Sequence, residues 1–176
     1  MPLDEQDRRH LTRAVDLAEE ALEAGDEPFG SVLVDADGRV LQTAVNEVVH
    51  RNETHHPELT LAQWAGDHLD AGARAAATVY TSGEHCPMCS AAHAWVGLGR
   101  IVYASSSSQT ARWVAELGGP PSPVAPLPIT TVAPGIPVDG PDEELALRVR
   151  ELHRRFRERQ PVGTAGVRAR PASHHT

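Results

Sequence analysis

At 176 residues the chain is long enough for one well-buried domain and too short for two ordinary ones. Hydrophobic residues make up 40% and charged residues 23%, a balance that excludes a largely disordered protein. Sixteen Lys and Arg against twenty-four Asp and Glu give a formal charge of -8, so no global field draws the protein to nucleic-acid phosphates or anionic membranes.

In chain order, Leu11, Ala14, Val15, Ala18, Ala21 and Leu22 share one helical face, with acids before them and Gly25 after. This predicts an amphipathic helix over residues 4–24. Pro28-Phe29-Gly30 leads into Ser31-Val32-Leu33-Val34, and the turn residues Asp35-Ala36-Asp37-Gly38 join that run to Val40–Val45 as a β-hairpin. Pro57 suits the first position of a second helix, along which Leu61, Ala62, Ala65 and Leu69 recur at helical spacing. Residues 76–81 read as a short buried strand, and 87–96, apolar nearly all round, as a central helix ending at Gly97 or Gly99.

Ile101-Val102-Tyr103-Ala104 is a fourth strand. Ser105 to Ser108 supply caps for a helix carrying Trp113, Val114 and Leu117, which Gly118-Gly119 ends. Pro120, Pro121, Pro123, Pro126 and Pro128 make the next stretch an extended, semi-rigid loop, and Ile129–Val132 is expected as an edge strand. From Pro141 a last helix has Asp142, Glu143 and Glu144 early, Arg154, Arg155, Arg157 and Arg159 late, and a stripe of Leu145, Val149, Leu152 and Phe156. Residues 160–176 lack periodicity and read as a flexible tail behind a domain of residues 1–159. The alternation predicts an α/β fold, a three-layer α/β/α sandwich around a mixed five-stranded sheet.

The start, Met1-Pro2-Leu3-Asp4-Glu5, has no basic segment followed by an apolar one, and no run is long enough to cross a bilayer. A cytoplasmic protein without membrane contact is therefore expected. In that reducing compartment Cys86 and Cys89, the only cysteines, are metal ligands or a redox pair far more often than a disulfide. Three apart at the start of a helix, they face the same side and can grip one ion.

A third ligand is needed, and His56 is preferred to its neighbour His55. Only His56 places an acid, Glu58, two residues on, in the first helical turn beside the metal. Zinc held by two thiolates and one imidazole keeps a position for water, and Glu58 is suited to move that water's proton during hydrolysis of an amidine-like carbon. The plain alternative for Glu58 is an acid serving a helix start. For the cysteines the alternatives are a redox dithiol or a closed structural zinc site with a fourth protein ligand.

His56-Pro57-Glu58 and Cys86-Pro87-Met88-Cys89, with Glu84 before it, resemble the His-x-Glu and Pro-Cys-x-x-Cys signature of the zinc-dependent cytidine deaminase superfamily. The resemblance extends through Pro28-Phe29-Gly30-Ser31-Val32, Asn46 and Gly99-Arg100-Ile101-Val102-Tyr103, covering about residues 5–118. Within the superfamily these patterns are most similar to the guanine and cytosine nucleobase deaminases and the tRNA-adenosine deaminases. Three positions depart: His85 stands where a proline is usual before the first cysteine, Pro57 where alanine is usual, and Ser105–Ser108 where relatives often carry an acid.

The resemblance implies the cytidine-deaminase-like fold, Zn2+ as cofactor and Glu58 as the catalytic group. It also implies substrate contacts from Asn46, Phe29, Glu84 and His85, with the backbone around Glu84 and Cys86 helping to hold the base. A homodimer is implied as well. The expected reaction is zinc-dependent hydrolytic deamination of a free guanine-like or cytosine-like base, releasing ammonia. The acidic balance makes nucleic acid an unlikely partner and puts a tRNA adenosine deaminase second, beside a nucleoside deaminase. Arg148–Arg159, Arg168 and Arg170 are the residues that favour RNA.

Overall fold

The computed structural model describes residues 3–160. The first helix, α1 (Glu5–Ala24), starts at the N-cap Asp4, whose side chain and that of Asp7 reciprocally satisfy backbone N–H groups, and it ends at Gly25 with φ 95°. Its apolar face, with Leu11, Ala14, Val15, Leu17, Ala18, Ala21 and Leu22 buried, lies against the sheet. Each such leucine removed from water contributes roughly 2 kcal/mol.

The hairpin is β1 (Gly30–Val34) and β2 (Val40–Val45). Gly30 is required by packing: a Cβ there would lie 2.5 Å from Leu17 Cβ and 2.6 Å from the Ala18 nitrogen. Helix α2 (Pro57–His68) follows, then the short helix α3 (Ala71–Ala76) and strand β3 (Thr78–Gly83). Next come α4 (Pro87–Val96), β4 (Arg100–Ser105), α5 (Ser107–Glu116), α6 (Ile129–Val132), β5 (Val138–Asp139) and α7 (Glu143–Arg159).

The sheet order is β2-β1-β3-β4-β5. β1 is antiparallel to both β2 and β3, whereas β3, β4 and β5 run parallel, so the sheet is mixed, as expected. One face carries α1, α5 and α7 over Val32, Val34, Tyr80, Val102 and Ala104. The other carries α2 and α4 over Leu33 and Val79. These are the three layers that the alternation of helices and strands predicts.

Three expectations need correction. Ile129–Val132 is a helical turn rather than an edge strand; the edge position belongs to Val138–Asp139. Ala76 and Ala77 are not in β3, because Asp70 caps the alanine-rich turn of α3 through the Ala73 N–H at 2.8 Å. α4 is not central: only Cys89, Ser90 and His93 are buried along it, and Trp95 is 89% exposed. The expected tail falls on residues outside those described from 161 onward.

Most arginines of α7 are held by acids. Arg148 pairs with Asp16 at 2.7 Å and Glu19 at 3.0 Å, Arg155 with Glu19 at 2.7 Å and with Glu23, and Arg159 with Glu23 at 3.0 Å. Arg154 pairs with Glu151 and Glu158, and Arg150 with Glu116. The stripe expected of this helix is buried at Val149, Leu152 and Phe156, with Leu145 packed partly against it.

His153 lies in the same face of α7, 5% exposed, between Phe29 (ring centroids 5.1 Å) and Trp113 (6.4 Å). Burial pushes its imidazole down to about 4, with Arg157 adding to the shift. A folded-state value below the unfolded 6.5 means that the unfolded chain binds the extra proton first, so stability falls as pH drops from about 6.5 towards 4. We expect His153→Phe to remove about 2 kcal/mol of the acid destabilisation at pH 5. Urea unfolding at pH 7.5 and pH 5 checks this, and an unchanged difference between the two pH values contradicts it.

Candidate active site

The sheet leaves the carboxyl ends of the parallel neighbours β3 and β4 side by side, with Gly83 paired in register to Ser105. Open α/β sheets bind ligands in the crevice beyond such ends. Two helices start there on the same plan. α2 has His56 as N-cap and Pro57 at its first position, while α4 has Cys86 as N-cap and Pro87 at its first position. Proline costs no hydrogen bond at that position and fixes the turn, while neither N-cap side chain makes a capping hydrogen bond. Both side chains are therefore directed elsewhere.

They meet each other. His56 Nδ1 lies 3.6 Å from Cys86 Sγ and 3.7 Å from Cys89 Sγ, and all three donor atoms fall within 4.8 Å of one another. Tetrahedral zinc with ordinary Zn–S and Zn–N bonds separates sulfur from nitrogen by about 3.6 Å. The donor set and spacing thus fit zinc, and His56 rather than His55 belongs to the cluster.

The Cys86 thiol is lowered to about 4 by hydrogen bonds from Cys89 and His56, outweighing burial. Cys89 is raised by its hydrogen bond with Cys86 and by burial. His56 is raised to about 9, chiefly by the Cys86 thiolate. The positive end of the helix also favours thiolate over thiol at Cys86.

Glu58, in the first turn of α2, is buried at 6% exposure. Its Oε1 accepts the Thr81 hydroxyl at 2.9 Å. Ser31, paired with Thr81 across β1 and β3, donates to the Thr81 hydroxyl at 2.9 Å. Burial raises the Glu58 carboxyl above the usual carboxylate range, with His56 opposing. Thr81 and Ser31 were not singled out from sequence as supports for Glu58. The available signal was two hydroxyl residues inside otherwise apolar buried strands.

Phe29 and Asn46 stand at the open end of the hairpin, where the Asn46 N–H donates to the Phe29 carbonyl at 2.9 Å. Asn46 is 2% exposed, and its Oδ1 accepts the Val48 N–H at 3.0 Å, forming an Asx turn. Phe29 abuts Gly83, where a Cβ would come within 2.9 Å of the ring. His85 is fully buried with its ring edge-on to His93 at 5.3 Å, and among the described residues neither ring nitrogen has a partner. The carboxylate of Glu84, the residue after β3, accepts the Ser107 N–H at 2.8 Å and the Ile129 N–H at 2.9 Å.

The sequence model of the cytidine and deoxycytidylate deaminase zinc-binding region matches residues 4–105, which hold the whole histidine–cysteine cluster and Glu58. The chain belongs to this family. As a zinc-binding deaminase it is a hydrolase of C–N bonds. It is 30% identical over 119 residues to a probable cytosine deaminase of Schizosaccharomyces pombe, covering 66% of this chain and 70% of that protein. It is 38% identical over 103 residues to guanine deaminase of Bacillus subtilis, covering 57% of this chain and 65% of the relative. The solved guanine deaminase from Nitrosomonas europaea superposes with a TM-score of 0.65 at 25% identity, over 85% of this chain and 83% of that one. Among the described residues of this deaminase, no helix is long and apolar enough to cross a membrane.

Proposed function

We propose that this deaminase acts on a free nucleobase or a closely related aminated heterocycle, guanine-like or cytosine-like. In this reading His56, Cys86 and Cys89 hold the zinc, and Glu58 is the catalytic acid–base. Zinc, when bound, supplies a Lewis acid that lowers the pKa of water towards neutrality. Glu58 takes a proton at its carboxylate and returns it to the departing amine, and burial, which raises this carboxyl, favours the uptake of that proton. Thr81 fixes the carboxylate's angle through its hydrogen bond. Asn46 and Phe29 flank the ring of the base, with the backbone at Glu84 and the neighbouring His85 completing the substrate side.

The observation carrying this proposal is the placement of Glu58 beside, but outside, the three-residue cluster. A closed structural zinc site would need a fourth protein ligand there. The relatives named for cytosine and guanine support a small base as substrate. RNA as substrate is disfavoured by the chemistry of α7, where Arg148, Arg150, Arg154, Arg155 and Arg159 are paired with acids instead of open to phosphate. The test is ammonia release by the zinc-loaded protein from guanine, cytosine, adenine, their nucleosides and a tRNA substrate. Turnover of at least one free base is expected, and turnover of tRNA alone overturns the proposal.

A further inference from the structure

Glu84 joins three separate parts of the chain. Its N–H donates to the Ser105 carbonyl at 2.7 Å, and the Ser105 hydroxyl donates to the Ser82 carbonyl at 2.9 Å, stitching the ends of β3 and β4 together. From that anchored backbone the side chain reaches the amides of Ser107 and Ile129, the first residues of α5 and α6. Ser107 opens the helix that carries Trp113, and Ile129 closes the proline-rich connection, whose residues 120–128 are all exposed. One carboxylate thus accepts from both ends of a segment in which only Trp113 and Ile129 are buried. Hydrogen bonds from backbone N–H groups to an ionised carboxylate are among the stronger ones available. At α5 the acceptor also faces the positive end of the helix dipole.

We infer that Glu84 is a positioning residue: it clamps the amino ends of α5 and α6 to the metal-binding loop and so fixes that rim of the substrate crevice. Glu84 lies only two residues before Cys86, so the clamp ties this rim directly to the loop that enters the cysteine pair. The family match ends at residue 105, so the clamp joins the matched zinc-binding part of the chain to the part that follows it. The kinetic consequence rests on the free-base reading above, whereas the clamp itself can be read without turnover.

Three variants test it. Glu84→Ala loses both acceptors, and Glu84→Gln keeps one. Ser107→Pro removes a donor without touching Glu84; position 107 is the first of its helix, and Ser106 before it has φ −76° and ψ 157°, a conformation that tolerates a following proline.

In Glu84→Ala, the Ser107 and Ile129 amides should exchange about 30-fold faster with those of α1 unchanged. KM for the base should rise about tenfold while kcat stays within about threefold and zinc content is unaltered. Glu84→Gln should fall between, and Glu84→Ala should cost less on the Ser107→Pro background than on the wild type. Unchanged exchange at both amides overturns the clamp, as do additive effects of the two substitutions. Fast exchange with an unchanged KM, or a fall in kcat or zinc instead of a rise in KM, overturns its role in the crevice. A wild-type protein that turns over no base refutes the free-base reading, and amide exchange then decides the clamp by itself.

Discussion

Replacing Glu58 with glutamine is expected to lower kcat by about 10^3-fold while zinc content and the melting temperature stay near those of the wild type. Glutamine fills nearly the same space and still accepts the Thr81 hydroxyl, so the buried pocket in the first turn of α2 is kept. What it lacks is a group that can take up a proton and release it again. Because it lies outside the metal cluster, its loss leaves three donors for the ion. Ammonia release and metal analysis on the same preparation check this. Zinc lost together with activity would make Glu58 a ligand, and activity kept would remove it from the chemistry.

The second large effect lies at the other end of the sheet, where Asp7→Ala should destabilise the protein by about 3 kcal/mol. Asp7 is 6% exposed and accepts from Arg100 at 2.7 and 2.9 Å and from the Tyr80 hydroxyl at 2.8 Å. Those bonds, led by Arg100, hold its carboxyl below the usual value. Its stabilisation is therefore complete above the ordinary carboxylate pKa and is lost as pH falls through the depressed one. Removing it leaves the Tyr80 hydroxyl without its acceptor. Arg100 keeps Asp139 and some contact with water, which holds the loss near the lower end for buried pairs. Asp7→Asn should cost less than Asp7→Ala because it still accepts from Tyr80. Denaturant unfolding at pH 7 measures both, and a loss below about 1 kcal/mol for alanine would show that the pair contributes little.

The ligand cluster was legible because His56 and Cys86 each precede a proline that starts a helix, a local pattern that survives any tertiary context. The hairpin and α1 were legible for a similar reason, since caps, turn residues and hydrophobic period agreed. Ile129–Val132 misled because Ile, Thr and Val favour strands, while Pro128 as N-cap and the Glu84 carboxylate at the Ile129 amide impose a helical turn. Residues 87–96 misled because an apolar composition says nothing about which face a helix buries. The reach of Glu84 to Ser107 and Ile129 was invisible for a different reason: backbone amides have no residue type, so a bond to one across 23 or 45 positions leaves no mark in the sequence. Thr81 and Ser31 depend likewise on the pairing of two strands fifty positions apart.

The ion pairs between α1 and α7 join partners 129 to 136 residues apart. On the ribosome, the acids Asp16, Glu19 and Glu23 emerge long before the arginines that neutralise them. Contacts of such long sequence separation form late in folding. The nascent sheet must therefore wait for α7 to be synthesised before its α1 side is roofed, and a chain stopped before Glu143 would expose Val102 and Ala104 to chaperones or to aggregation.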